Sequence, residues 1–148
     1  MKSRTKARGL ALQVLYEVDL TNHLPGEVLA ERLAEDPLGE KLSNFSSQII
    51  LGVYPLISQL DDFIAQHAPE WPLDQVAAID RNIIRIALWE FAVAGCTPVK
   101  VAINEAIELA KLYGSDSTAR FVNGVLGSLA SRQNEIQKTF GSIPKSGK

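Results

Sequence analysis

Four basic side chains, Lys2, Arg4, Lys6 and Arg8, crowd the start of this 148-residue chain, and no acid stands among the first nine positions. Such groups hold phosphate oxygens, and each contact adds an affinity that salt screens away. Farther along, Arg120-Phe121 sets a guanidinium beside an aromatic face. That step suits single-stranded RNA, whose bases can leave the stack and lie on a ring. Gln13 and Tyr16 could hydrogen-bond or stack with bases, or simply line a groove. The plainer readings are a solvated basic end and, for Phe121, a core residue.

The other chemistry-bearing residues point away from catalysis. His23 and His67 are far apart, and with the lone Cys96 they make no recognisable metal set. Neither a GxGxxG nor a GxxxxGK[ST] phosphate loop is present. Asp61 and Asp62 are adjacent, and adjacent helix residues point in different directions. That pair reads as a solvated face rather than an acid–base pair. Glu108 can pair with Lys111 three residues on, an ordinary surface arrangement. A binding protein with no catalytic residues, metal or cofactor is expected, not an enzyme.

Composition sets the frame for these residues. The apolar fraction of 46% supports a substantial core, and the charged fraction of 22% is ordinary for a soluble domain. No apolar run approaches the roughly 20 residues that span a bilayer. The basic start is followed by Gln13, Glu17 and Asp19, which fits neither a signal peptide nor an anchor. A cytoplasmic protein without membrane contact is expected. The net charge of −2 conceals an asymmetry: residues 10–131 hold seven basic and sixteen acidic side chains. A basic end on an acidic body suggests a local anionic partner.

The elements that must position these residues read as helices throughout. Ala7, Leu10, Ala11, Val14, Leu15 and Val18 form one apolar face before Leu24-Pro25-Gly26 breaks the helix. Val28, Leu29 and Leu33 give a short second helix that stops near Asp36-Pro37. Phe45, Ile49, Ile50, Val53, Ile57, Leu60 and Ile64 predict a long third helix, kinked at Pro55. His67 to Pro72 reads as a linker. Val76, Ile79, Ile83, Ile86, Ala87 and Phe91 face one way on a fourth helix, with Asp80, Arg81, Arg85 and Glu90 on its polar side. Thr97-Pro98 predicts a capping hydroxyl and a proline at the first helical position of the next helix. Val99, Ala102, Ile103, Ala106, Ile107 and Ala110 form its buried stripe, and Gly114 is expected as a left-handed cap. Asp116 or Ser117 can cap a last helix carrying Phe121, Val122, Val125, Leu126 and Leu129 inward. No alternating strand pattern is present.

Several words of this sequence resemble the NusB family of bacterial transcription antitermination factors. They are Arg4-x-Lys6-Ala7-Arg8, Gln13-x-Leu15-Tyr16, Trp71-Pro72-Leu73 and the run from Ile79 through Arg85 to Trp89-Glu90. Val99 to Lys111 and Arg120-Phe121-Val122-Asn123-Gly124-Val125-Leu126 complete the set. Their order and spacing cover roughly residues 4 to 130. The resemblance implies an all-α fold, a compact helical bundle of about six to seven helices in two packed subdomains. Those would run about 4–68 and 72–138 within one domain, 1–140, with a disordered tail over 141–148.

The resemblance also implies a function. Family members bind the boxA element of nascent ribosomal RNA leaders together with NusE, which is also a small-subunit ribosomal protein. The pair then joins other Nus factors on RNA polymerase and suppresses premature termination. On this reading Lys2, Arg4, Lys6, Arg8, Gln13, Tyr16, Arg120 and Phe121 face RNA. Asp80, Arg81, Arg85 and Glu90 contribute to the NusE surface. Asn104, Glu105 and Asn123 are expected to lock helices together from buried positions. The start of the last helix should lie close to the start of the first. Alanine at Arg4, Lys6 and Arg8 should barely change thermal stability. The alternative is a helical protein–protein adaptor with weak or no RNA binding.

Overall fold

Helix α1, Ser3–Leu20, is the element around which the others pack. The computed structural model describes residues 2–69 and 76–132. Ala7, Ala11, Leu12, Val14 and Leu15 of α1 are almost wholly buried. Helix α1 ends at Leu20, ahead of the break expected at Leu24-Pro25-Gly26. Helix α2, Pro25–Glu35, begins at that proline, and α3, Glu40–Val53, lies along α1. The Ser46 hydroxyl donates to the Ala7 carbonyl at 2.8 Å and fixes the α1–α3 approach.

Pro55 does more than kink a helix. A 3-10 turn, Tyr54–Leu56, separates α3 from α4, Ile57–His67. Proline lacks the donor that a continuous helix needs and clashes with the preceding turn, so the chain starts a new helix. His67 closes α4, its ring 4.1 Å from that of Phe63, rather than opening a linker. The expected linker through Trp71-Pro72 and the expected tail lie outside the described residues.

Helix α5, Ala78–Leu88, continues into a π turn, Trp89–Val93. It is packed by α1, α4, α6 and α7, and every residue from Asn82 to Val93 is buried. Of the expected polar side of this helix, Arg85 and Glu90 are therefore interior. Its apolar periodicity is real, but a helix surrounded by neighbours buries its other face as well.

Helices α6, Val99–Tyr113, and α7, Thr118–Ala130, complete the bundle, and no strand occurs among the described residues. Three expected caps are not formed, one of them at α7, where Ser117 stands at the N-cap without a side-chain cap hydrogen bond. Thr97 turns its hydroxyl to Glu90, and Pro98, not Thr97, stands at the N-cap of α6. Gly114 is extended, at φ −96°, rather than left-handed. It is a glycine because the Thr118 side chain folds back onto it, within 2.6 Å of where a Cβ would stand. The left-handed glycine is Gly95, at φ 63°, where the π turn ends and the chain reverses into α6.

Gly52 of α3 packs directly against the Trp89 indole, and a Cβ there would overlap the ring. Gly52→Ala should destabilise the protein by about 1–3 kcal/mol through overpacking. Urea unfolding checks this, and an unchanged midpoint would mean that the ring can move aside.

Candidate nucleic-acid interface

The first two turns of α1 expose Lys2, Arg4 and Lys6 and bury the fourth basic residue. Arg8 is 3% exposed. It shares a stripe with Thr5, Leu12 and Leu15, all facing the bundle interior. Its Nε and Nη2 donate to the Glu90 carboxylate at 2.9 Å each, a two-pronged ion pair. Its Nη1 donates to Glu105 Oε1 at 2.8 Å. Thr5 donates to the same Glu105 oxygen, and Thr97 donates to Glu90 Oε1 at 3.0 Å. Burial disfavours the Arg8 charge, but the hydrogen bonds and charges of Glu90 and Glu105 outweigh it, so the guanidinium is held more firmly protonated than usual. These contacts occupy the prongs that a phosphate would need. Arg8 therefore ties α1 to the π turn and to α6, and the expectation that its loss is silent does not hold.

The exposed cations are held loosely. Lys6 Nζ lies 3.8 Å from Asp36, with both side chains largely in solvent. Such a pair contributes little and exchanges readily for another anion. The Arg4 guanidinium lies over the Phe45 ring at 4.7 Å, a cation–π contact that aims it without neutralising it. Lys2 stands at the N-cap of α1 beside Asn104 and Glu105 of α6.

A second cluster of charge sits at the other end of α1. Asp19 accepts hydrogen bonds from Arg81 Nη2 at 2.6 Å, Asn82 Nδ2 at 3.1 Å and Arg85 Nη1 at 3.3 Å. Arg85 also forks onto Asp61, at 2.8 and 2.6 Å, and receives its orientation from Asn82 Oδ1. Burial pushes the Asp19 carboxyl up, but the Arg81 hydrogen bond and the Arg85 and Arg81 charges hold it below the usual carboxylate range. Asp61 is thus a structural partner, not a solvated pair with Asp62.

This changes the expected partner surface. Arg85 and Glu90 are 3% and 1% exposed and engaged internally. Asp80 and Arg81 are half-buried at the start of α5, where Asp80 accepts from the Thr118 hydroxyl at 3.0 Å. That contact brings the start of α7 to the start of α5, whose Arg81 reaches the last turn of α1. The start of α7 is thus tied toward the far end of α1 from Lys2. Arg120 is exposed there, and Phe121 is half-buried against the core. Gln13 and Tyr16 are half-buried along α1, with Gln13 accepting from Arg32 Nη1 at 2.8 Å.

Asn104 and Asn123 are exposed, not buried. Each falls between the apolar positions of its helix, so its helix turns it to solvent. Only Glu105 of that trio locks helices. From the sequence Asp19 has no pairing role, Asp61 reads as a solvated face and Thr97 as a cap. The structure makes the two aspartates ion-pair partners and Thr97 a hydrogen-bond donor to Glu90. The spacing 5–8–12–15 on α1 was the available signal that Arg8 points inward.

Among the described residues no group of histidines, cysteines and carboxylates could hold a metal ion, and no helix is long and apolar enough to cross a membrane. The described residues thus form an all-helical bundle fixed by buried ion pairs, with loosely held cations along one helix end. The NusB family profile matches residues 5–131, and the chain belongs to that family. NusB proteins are transcription antitermination factors, RNA-binding and non-enzymatic. The transcription antitermination protein NusB of Roseiflexus sp. (strain RS-1) is 45% identical over 137 residues, covering 91% of this chain and 96% of its own. The T. maritima NusB structure superposes with a TM-score of 0.76 at 29% identity, covering 91% of this chain and 90% of its own. A NusB solved with NusE and double-stranded RNA superposes at 0.77 with 25% identity, covering 93% and 98%.

Arg8→Ala should cost about 3–5 kcal/mol of stability, because Glu90 is left buried and unpaired. Denaturant unfolding of Arg8→Ala beside Arg4→Ala checks this: the first should fall sharply and the second little. A separate outcome concerns acid. The Asp19 carboxyl contributes stability that is fully present above its unfolded-state pKa and lost as pH falls through its lower folded-state value. Asp19→Asn should therefore flatten the loss of stability below about pH 4, read from thermal unfolding across pH.

Proposed function

We propose that this protein binds boxA-type single-stranded RNA of ribosomal RNA leaders together with NusE, and thereby supports antitermination and ribosomal RNA synthesis. Other Nus factors and RNA polymerase complete the assembly, and the protein works in the cytoplasm. The observation that carries the reading is the set of three exposed, weakly paired cations, Lys2, Arg4 and Lys6, on the first turns of α1. They hold backbone phosphates. Gln13, Tyr16, Arg120 and Phe121 extend the contact toward the bases. The similar NusB captured with NusE and RNA supports both partners.

Arg8 acts behind this surface, by fixing the helix on which the other cations stand. Asp80 and Arg81, at the edge of α5, form part of the NusE-facing surface, with Arg85 and Glu90 holding that edge from within. The helices before and after residues 70–75 act as two packed subdomains of one domain, and α1 is their common contact.

The test is a salt titration of boxA RNA affinity, with and without NusE. Each phosphate contact on a single strand contributes a slope of about 0.7 in log affinity against log salt. Replacing Lys2, Arg4 and Lys6 by glutamine should flatten the slope by about 2 units while the protein stays folded. Phe121→Ala should weaken binding by roughly 1–3 kcal/mol if the ring stacks on a base. An unchanged slope in the triple variant removes the basic start from the interface and favours the protein–protein adaptor.

A further inference from the structure

A cleft of about 560 Å³ opens between α1, α2 and the end of α6, on the side of α1 that carries Lys6, Leu10 and Gln13. That size lies within the roughly 300–1,000 Å³ of small-ligand sites. Leu10 and Leu38 supply its aliphatic walls, and Tyr113 supplies an aromatic one. The Tyr113 ring is packed along α1 at Gly9, where a Cβ would press on the phenol oxygen at 2.5 Å. Arg32 lines the cleft with its guanidinium already aimed, Nη1 onto Gln13 at 2.8 Å and Nη2 onto Glu17 at 3.1 Å. Its Nε is shielded from solvent and finds no acceptor among the described residues. Glu35 and Asp36 complete the polar lining.

The charge of this lining decides what it can take. Two cations, Lys6 and Arg32, face two carboxylates, Glu35 and Asp36, so the cleft is balanced and does not favour a phosphate. It presents donors and acceptors around the apolar side chains of Leu10, Leu38 and Tyr113. A nucleobase has that complement: π faces for those side chains, ring and carbonyl acceptors for Arg32, and amino or imino donors for the carboxylates. Lys6 stands at the junction, one of the loosely held cations of the phosphate track and also part of the cleft wall.

We propose that this cleft receives one unpaired base of the RNA strand whose phosphates run along the start of α1, and that Arg32 is a base-reading residue. The proposal rests on the RNA-binding reading above. Phosphates stay on the exposed cations, and the base turns inward between Tyr113 and Leu38. Arg32 exchanges part of its hold on Gln13 and Glu17 for the edge of the base.

The experiment is an abasic scan. A labelled single-stranded boxA RNA is made with one abasic site at each position in turn and titrated against the protein, with and without NusE. In the wild type, one abasic position should lower affinity about tenfold. Arg32→Gln should weaken the intact RNA about tenfold, make that same abasic site cost nothing further, and leave the salt slope unchanged. Leu38→Trp fills the cleft without touching the α1–α2 hydrogen bonds and should give the same pattern, so the outcome does not hang on Arg32→Gln folding. An abasic profile that both folded variants share with the wild type overturns the proposal. So does a loss of NusE binding with the RNA profile intact, which would assign the cleft to a protein partner. A wild type that binds no RNA would instead overturn the reading beneath it, and this one with it.

Discussion

The contact between Arg8 and Glu90 is the interaction on which the rest of this molecule depends. A guanidinium on α1 and a carboxylate on the π turn are both almost fully removed from water, and neither has a solvated alternative in the folded state. Removing one partner strands the other, so the pair acts as a registry constraint more than as a source of stability. Glu105 and Thr97 extend it to α6 and to the loop before it. The outcome is that the first turns of α1 have one permitted position against the second half of the chain. The exposed cations on those turns inherit that position.

The π turn, Trp89–Val93, follows from the same constraint. A π turn widens the helix and shifts the residues that follow it. Glu90 can then face α1 while Trp89 packs against Gly52 of α3. Two neighbours of α5 are thus gripped from adjacent residues. At the other end of α1, Asp19 gathers Arg81, Asn82 and Arg85, and Asp61 of α4 shares Arg85. Helices α1 and α5 are therefore joined by polar contacts at both ends, with the apolar core between them.

Apolar spacing made the helices legible, because period 3.6 is a property of single segments. The α1 stripe, the stop at Asp36, the buried face of α6 and the inward face of α7 all follow from it. What periodicity could not carry was which polar residues meet across the bundle. Arg85 and Glu90 looked like a charged surface because their own helix leaves them off the apolar stripe, and only the neighbours of α5 make that side interior. Asn104 and Asn123 looked buried because apolar letters flank them, yet helical rotation turns each outward. Thr97 resembled a cap because threonine before proline is a common start, but the buried Glu90 carboxylate claims its hydroxyl. For Arg85, Glu90 and Thr97 tertiary partners overrode a local preference, whereas the two asparagines follow their own helices.

Helix α1 has a further consequence that lies in its electrical polarity. Its first turn holds no acid and its last turn no base. Lys2, Arg4 and Lys6 stand where the macrodipole is positive, and Glu17 and Asp19 where it is negative. Both ends are charged against the dipole, an arrangement that weakens a helix on its own. The negative end is relieved inside the fold by Arg32, Arg81 and Arg85. At the positive end the Glu90 and Glu105 carboxylates are taken up by Arg8 and by the Thr97 and Thr5 hydroxyls, and the exposed cations are held only by loose contacts such as that of Lys6 with Asp36. The positive end of the helix is thus the less compensated of the two, and a polyanion arriving there relieves a repulsion between the cations and the helix dipole.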